Sequence, residues 1–164
     1  MKRKILIAFI FALALCMSAQ AATKGEQDAL NAAKNYLKVM PFSHTSLIKQ
    51  LEFEGFSTKD ATYAADNCKA NWKEQALKAA NDYVKLMAIS RAGLLNQLVH
   101  EGFVFEEISY AADNCKVDWK EQAARSAANY LQLTKFTRQR MIEQLEFDGF
   151  THEQAVYGAT KNGL

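Results

Sequence analysis

The chain has 164 residues, of which 20 are basic and 18 are acidic, and its formal net charge is +2. Three of the basic residues and none of the acidic ones lie in the first 21 positions, so the remaining chain carries a net charge of −1. Proteins that bind nucleic acids usually present a basic face, and this charge therefore argues against DNA or RNA as a partner. The length beyond position 21 suits one or two compact units.

The first segment has the layout of a secretory signal peptide. Basic residues at positions 2–4 precede an apolar run over 5–17, and Ala19-Gln20-Ala21 places small residues around a cleavable bond. The apolar run is shorter than the roughly 20 residues of a membrane span. We predict that residues 1–21 are removed after Ala21 and that the protein is exported to the periplasm or the extracellular space.

Two alternatives for this segment remain open. A lipoprotein signal ending at Cys16 would anchor the protein at the cell surface, but Leu15 is large where such sites prefer a small residue. A retained signal would also leave the protein attached to the membrane. Membrane association is expected only in these two cases.

Three copies of one pattern fill the rest of the chain. Each copy contains Gln-Leu, three variable residues and Gly-Phe, and the glycines lie 47 residues apart at positions 55, 102 and 149. About half of the aligned positions in the first two copies are identical. A fixed period in this range is typical of repeat proteins. We predict an all-α, elongated array of three helix-turn-helix repeats at 22–75, 76–122 and 123–164.

The predicted elements recur in the same order in each repeat. The first helix is rich in alanine and carries its apolar residues on one side, as Ala29, Ala33 and Tyr36 illustrate. The second helix begins at an N-capping hydroxyl residue: Ser43, Ser90 or Thr137. It ends at the glycine, which accepts a left-handed backbone, and the next phenylalanine packs back on the helix. The third helix carries Tyr63, Tyr110 or Tyr157.

A segment with cysteine and tryptophan follows the third helix in repeats one and two only, so we interpret it as the connector between units. Because neither glycine nor proline interrupts residues 58–87, we favour one long connecting helix. The alternative is a break at Asn71 and Asp118, since each begins a capping-box pattern. In either case we expect Trp72 and Trp119 to pack where the units meet.

The two cysteines beyond the signal occupy equivalent positions in successive repeats. Export exposes a protein to oxidising conditions, where two thiols often form a disulfide. A disulfide needs Cα atoms within about 7 Å, and a long connecting helix would hold Cys68 and Cys115 further apart. We therefore predict free thiols, with an intramolecular disulfide as the alternative.

The sequence offers little for catalysis. His44, His100 and His152 fall at three different repeat positions, so they form no shared site. The recurring Asp66 and Asp113 lack companions at metal-ligand spacing, and we expect them to form a polar patch. No nucleophile–base pattern, phosphate loop or zinc spacing is present. We predict a protein without enzymatic activity, cofactor or metal.

One long pattern with fixed spacing resembles the host cell surface-exposed lipoprotein family, the Ltp-like repeat. It comprises Tyr36-Leu37, Leu47, Gln50-Leu51, Glu54-Gly55-Phe56, 63–68 and 72–76. The resemblance covers most of the chain beyond the signal and implies tandem helix-turn-helix units outside the cytoplasmic membrane. It also implies superinfection exclusion, in which the injection of phage DNA is blocked, with the phage tail tape-measure protein as the partner. An envelope-associated structural repeat protein with no phage role is the alternative.

Repeat two contains a candidate partner-binding surface. Val104 and Phe105 replace the polar residues of the other two copies, and Ile108 replaces an alanine. Their spacing allows all three to share one face of a helix. A valine in place of a capping hydroxyl costs about 1 kcal/mol, so we expect a compensating interaction. The face either packs against a neighbouring unit or is an exposed patch that contacts a partner protein.

Overall fold

A computed structural model describes residues 21–164, and in this range it contains nine α-helices and no β-strand. The predicted signal peptide, its cleavage site and Cys16 therefore lie wholly or largely outside the described residues. The all-α repeat architecture is confirmed. The helices are α1 Lys24–Val39, α2 His44–Phe53, α3 Thr58–Asn67, α4 Trp72–Leu86, α5 Arg91–His100, α6 Phe105–Asn114, α7 Trp119–Leu133, α8 Arg138–Phe147 and α9 His152–Lys161.

The nine helices form three units of three: unit 1 is α1–α3, unit 2 is α4–α6 and unit 3 is α7–α9. In every unit the first and third helices pack most extensively, and the second helix closes the bundle. Each unit has its own apolar core. Small alanines in each core let the first and third helices approach closely. Six large side chains from the second helices are fully buried at the centres: Leu47, Leu51, Leu94, Leu98, Met141 and Leu145.

The glycine turn has the predicted geometry in all three units. Gly55, Gly102 and Gly149 have φ values of 97°, 83° and 89°. In unit 2 the Phe103 amide donates to the Leu98 carbonyl, with N and O 3.2 Å apart, and the Gly102 amide donates to Val99. These two bonds define a Schellman motif and satisfy carbonyls that the helix end leaves free. The predicted turn is therefore confirmed.

The connector is broken, so the preferred expectation of one long helix is wrong and the alternative is confirmed. The helix α3 ends at Asn67, and α4 begins after Asn71, whose side chain accepts from the Glu74 amide. Asp118 caps α7 in the same way. In the first connector Lys69 adopts a left-handed conformation, with a φ of 59°. The repeat boundaries predicted after positions 75 and 122 fall inside α4 and α7.

The tryptophan and cysteine that recur in the two connectors contribute to packing. Trp72 begins α4 but packs on the core of unit 1, and Trp119 packs in the same way on unit 2, as predicted. Cys68 and Cys115 are both free thiols, which confirms the preferred prediction. Cys68 is buried and Cys115 is half-buried. Burial also raises the pKa of the Cys115 thiol, which disfavours the reactive thiolate.

Neighbouring units meet through a contact that occurs twice. The Ser43 hydroxyl of unit 1 donates to the Glu101 carbonyl at the glycine turn of unit 2, with the oxygens 2.6 Å apart. Ser90 of unit 2 makes the same 2.6 Å bond to Asp148 of unit 3. Both serines are also N-caps, and both are at most 2% exposed. The start of each second helix is thus placed on the turn of the next unit.

A polar triad supports each turn from within its own unit. In unit 2 the Tyr83 hydroxyl donates to the Glu101 carboxylate at 2.5 Å, and the Gln97 side chain donates to the Tyr83 oxygen at 3.1 Å. Equivalent residues repeat the arrangement in the other units: Tyr36, Gln50 and Glu54, and Tyr130, Gln144 and Asp148. The residue that receives the neighbouring unit's serine is therefore also held by a tyrosine.

These triads predict a loss of stability at alkaline pH. Burial, followed by the bond to a carboxylate, raises the pKa of Tyr83 and Tyr130 above the usual range. Since the folded state favours the neutral phenol, this contribution is complete below the pKa of the unfolded chain and is lost as the pH rises through the folded pKa. We expect a larger drop in urea midpoint between about pH 8 and about pH 11 for the wild type than for the Tyr83→Phe/Tyr130→Phe variant. Equal drops would contradict the prediction.

Candidate partner-binding surface

The structure divides the predicted face of α6. Val104 and Phe105 are 54% and 79% exposed, whereas Ile108 is 6% exposed and lies in the core of unit 2. The expectation that all three side chains share one surface is therefore wrong for Ile108. Phe105 at the exposed start of α6 and the buried Ile108 are about one helical turn apart. Packing against a neighbouring unit does not account for Val104 and Phe105, because both remain accessible.

Glutamates compensate for the missing capping hydroxyl at the start of α6. The Glu107 carboxylate accepts from the Val104 amide, with N and O 3.0 Å apart. Glu106 and Glu107 also place negative charge in the first turn, where it interacts favourably with the helix dipole. The valine at the N-cap thus needs no contact with another unit to hold the helix start in place.

A further apolar residue, Val99, belongs to this surface. In unit 1 the Thr58 hydroxyl donates to the Glu52 carboxylate at 2.5 Å, and in unit 3 His152 contacts Glu146 at 2.7 Å. The positions equivalent to these two pairs are occupied in unit 2 by Phe105 and Val99. Because such pairs touch across the glycine turn in the other units, the turn of unit 2 presents apolar side chains side by side. Val99 is 60% exposed.

We call Val99, Val104 and Phe105 the apolar patch. Exposed polar side chains border it, including His100 and Glu106. An exposed apolar surface with a polar rim is typical of a contact site for another protein. Val99 could have been identified from the sequence. The comparison of repeats that identified Phe105 also aligns Val99 with a glutamate in each of the other two copies.

Other exposed apolar side chains recur from unit to unit. Val39, Leu86 and Leu133 occupy one repeat position at the ends of the first helices, and each is at least 77% exposed. Phe53 and Phe147 share another position and are 87% and 88% exposed. Since these residues are features of the repeat, they distinguish no single unit. The apolar patch is specific to unit 2.

The residues considered for catalysis make structural contacts. The His44 ring contacts the Asp66 carboxylate at 2.8 Å, and Arg91 binds Asp113 at 3.0 Å in the equivalent place. Both contacts link the second helix of a unit to its third. Within residues 21–164, no three His, Cys, Asp or Glu side chains are grouped as a metal site would require. The same range contains no helix long and apolar enough to cross a membrane.

The fold defines a tandem helical-repeat protein, and unit 2 differs from its neighbours in the exposed apolar patch. The chain belongs to the host cell surface-exposed lipoprotein family, which matches it three times, at residues 24–68, 71–115 and 118–161. The family's name agrees with the predicted export. No curated protein matches the chain.

A solved structure supports this assignment. It is that of Ltp, a superinfection exclusion protein from the Streptococcus thermophilus temperate phage TP-J34. The two chains are 31% identical and superpose with a TM-score of 0.56. The match covers 58% of this chain and 99% of the phage protein, so the similarity extends over the equivalent of about two of the three units.

Proposed function

We propose that the protein is exported and prevents superinfection by binding a protein of the incoming phage and blocking DNA injection. The apolar patch carries this proposal, because it is the surface in which one unit departs from the polar pattern of its neighbours. Membership of the family and similarity to a superinfection exclusion protein support the same role. The protein acts by binding, with no catalytic step.

The partner that we propose is the tape-measure protein of the phage tail. An exported repeat protein meets the tail outside the cytoplasmic membrane, before the DNA crosses it. The apolar patch would then contact an apolar segment of that protein, with its polar rim in solvent. A periplasmic location and a surface-anchored one both place the patch on the path of the incoming DNA.

Expression of the protein in a phage-sensitive host tests this function. Phage adsorption should equal that of the control strain, while entry of phage DNA into the cell should fall. Loss of adsorption would instead identify a receptor-masking protein. Unchanged adsorption together with unchanged DNA entry, for every phage that infects the host, would contradict the exclusion function.

Replacement of Phe105 tests the patch. We expect Phe105→Ser to change the free energy of unfolding by no more than about 0.5 kcal/mol, because the side chain is exposed. Protection against DNA entry should nevertheless fall. Phe147→Ser is the matched control, since it makes the same change at an exposed position outside the patch, and it should keep both stability and protection. Full protection with Phe105→Ser would exclude the patch as the contact site.

A further inference from the structure

The two junctions between units contain equivalent residues but are closed to different degrees. At the second junction, the Gln122 side chain at the start of α7 donates to the Val84 carbonyl at 2.9 Å and accepts from the Ile89 amide at 3.3 Å. Arg125 donates to the carbonyls of Val84 and Lys85 at 2.8 and 3.2 Å. These bonds attach the end of α4 to α7.

Gln75 and Lys78 hold the equivalent positions at the first junction, and the space there is open. Gln75 is 6% exposed, and its side-chain oxygen is buried without a hydrogen-bond partner, alone in this respect among the side chains of residues 21–164. The connector also differs, because Lys69 is left-handed here. In the second connector the Val117 amide instead donates to Cys115. A different turn and a lysine in place of an arginine leave the first junction without the bonds that Gln122 and Arg125 make at the second.

The result is a groove of about 460 Å³ between the end of α1 and the start of α4. Gln75 lies in its wall, and Leu37 and Cys68 contribute apolar surface. Four lysines line it: Lys34, Lys38, Lys69 and Lys78. The one acidic lining residue, Glu74, already accepts from the Tyr110 hydroxyl at 2.6 Å. Positive charge is thus concentrated here, although the chain beyond position 21 is slightly acidic overall.

The chemistry of the groove specifies its ligand. Lysine ammonium groups bind carboxylates, and a buried acceptor without a partner is satisfied by a ligand that carries an N–H or O–H donor. A peptide backbone provides an N–H at every residue except proline, and acidic side chains provide the carboxylates. A phosphate backbone offers negative charge but no donor for Gln75. We propose that this groove, which we call the junction groove, binds an acidic peptide segment in an extended conformation.

This proposal does not depend on the exclusion function, because it concerns a different surface and is tested by direct binding. The probe is a fluorescent peptide of alternating Glu and Ala, measured by anisotropy against the purified protein. Saturable binding that weakens as salt increases is expected. No saturable binding at low salt would overturn the proposal.

Charge reversal at equivalent positions provides a matched comparison. Lys38→Glu/Lys69→Glu should weaken peptide binding about tenfold, because it replaces two attractions by two repulsions. Lys85→Glu/Lys116→Glu makes the same changes at the second junction and should leave the affinity unchanged. Equal losses in the two variants would indicate a general charge effect and would overturn the assignment to the junction groove.

Substitution of the two glutamines separates binding from stability. Gln75→Met breaks no hydrogen bond of its side-chain oxygen and should keep the melting temperature while weakening peptide binding. Gln122→Met loses two bonds to unit 2 and should lower the melting temperature while keeping peptide binding. An unchanged affinity with Gln75→Met would overturn the role of the buried acceptor.

Two further probes test the class of ligand. The same peptide with N-methylated backbone amides should bind less tightly, because it cannot donate to Gln75. A single-stranded oligonucleotide of equal charge should also bind less tightly. Tighter binding of the oligonucleotide would overturn the peptide assignment and identify the junction groove as a site for polyanions.

Discussion

Gly158→Val should lower the free energy of unfolding of unit 3 by about 3 kcal/mol. Gly158 lies inside α9, where this helix crosses α7, and an added Cβ would be 2.8 Å from the Ala123 carbonyl oxygen. That atom belongs to the backbone of α7 and has no rotamer with which to move away. The two helices would have to separate, and Ala155 and Ala159 beside the crossing are fully buried. Hydrogen exchange of unit 3 amides measures this loss directly.

The control for Gly158→Val is Thr160→Val in the same helix. Thr160 is exposed and its hydroxyl makes two exposed hydrogen bonds, so the same residue introduced there should change stability by about 1 kcal/mol or less. If both variants exchange at the same rate as the wild type, the helices tolerate a wider spacing and the close approach is not required. Units 1 and 2 carry alanine at the equivalent positions, so the requirement for glycine is specific to unit 3.

Gly102→Val should destabilise the protein by about 3 kcal/mol, in two parts. A left-handed backbone costs a residue with a side chain about 1–2 kcal/mol, and the β-branch of valine adds to this cost. In addition, an added Cβ would lie 3.2 Å from the Ser43 hydroxyl oxygen and 3.3 Å from the Thr45 Cβ. Valine would therefore strain the turn and press on the junction between units 1 and 2. A thermal melt followed by circular dichroism reports the sum of the two effects.

Gly55→Val isolates the first part. Gly55 has the same left-handed conformation, but apart from its two chain neighbours no residue lies within 4 Å of an added Cβ. This variant should lose only the conformational cost of about 1–2 kcal/mol. The difference between the two melts then measures the contact between the turn of unit 2 and the cap of unit 1. Identical melting temperatures would show that this contact contributes nothing to stability.

The parts of the fold that were predictable from sequence depend on local chemistry. A glycine followed by phenylalanine and preceded by a leucine-bearing helix predicts a Schellman turn at Gly55, and the structure confirms it. Ser43 and Ser90 are N-caps for the same local reason. Their second bond, to a turn 58 residues further along the chain, involves a distant residue and leaves no signal in the neighbouring sequence.

The connector shows why a local pattern was insufficient. Residues 58–87 contain no glycine or proline, and an apolar stripe runs through them, so most of the local pattern agrees with a continuous helix. The capping-box pattern at Asn71 was the one local signal for a break. In the folded chain, however, Trp72 at the start of α4 packs back on the core of unit 1, and Ser43 bonds to the Glu101 carbonyl of unit 2. Both contacts depend on how the break places α4 relative to α3. The cores around Leu51 and Leu98 favour the broken form, and Asn71 and Asp118 cap the new helices. Tertiary burial outweighed propensity.

The candidate site was partly predictable for a similar reason. Comparison of the repeats identified Val104 and Phe105 as departures from the polar pattern, and both are exposed. Spacing alone assigned Ile108 to the same face, but the core of unit 2 lies beneath it. The open first junction was not predictable, because Gln75 and Gln122 are the same residue type in the same repeat position. The two connectors fold differently, and Lys78 stands where Arg125 bonds to the end of α4 at the second junction.

The serine-to-turn junction has a consequence for how such proteins change in length. Both junctions join the capping serine of one unit to the glycine turn of the next. A duplicated 47-residue segment would therefore carry both the serine and the turn that a new junction needs. A gene encoding this protein could gain or lose a unit in one recombination event without the invention of a new interface. A phage protein equivalent to about two units fits this view. Selection on a contact surface would then act on one copy, while the remaining copies preserve the scaffold.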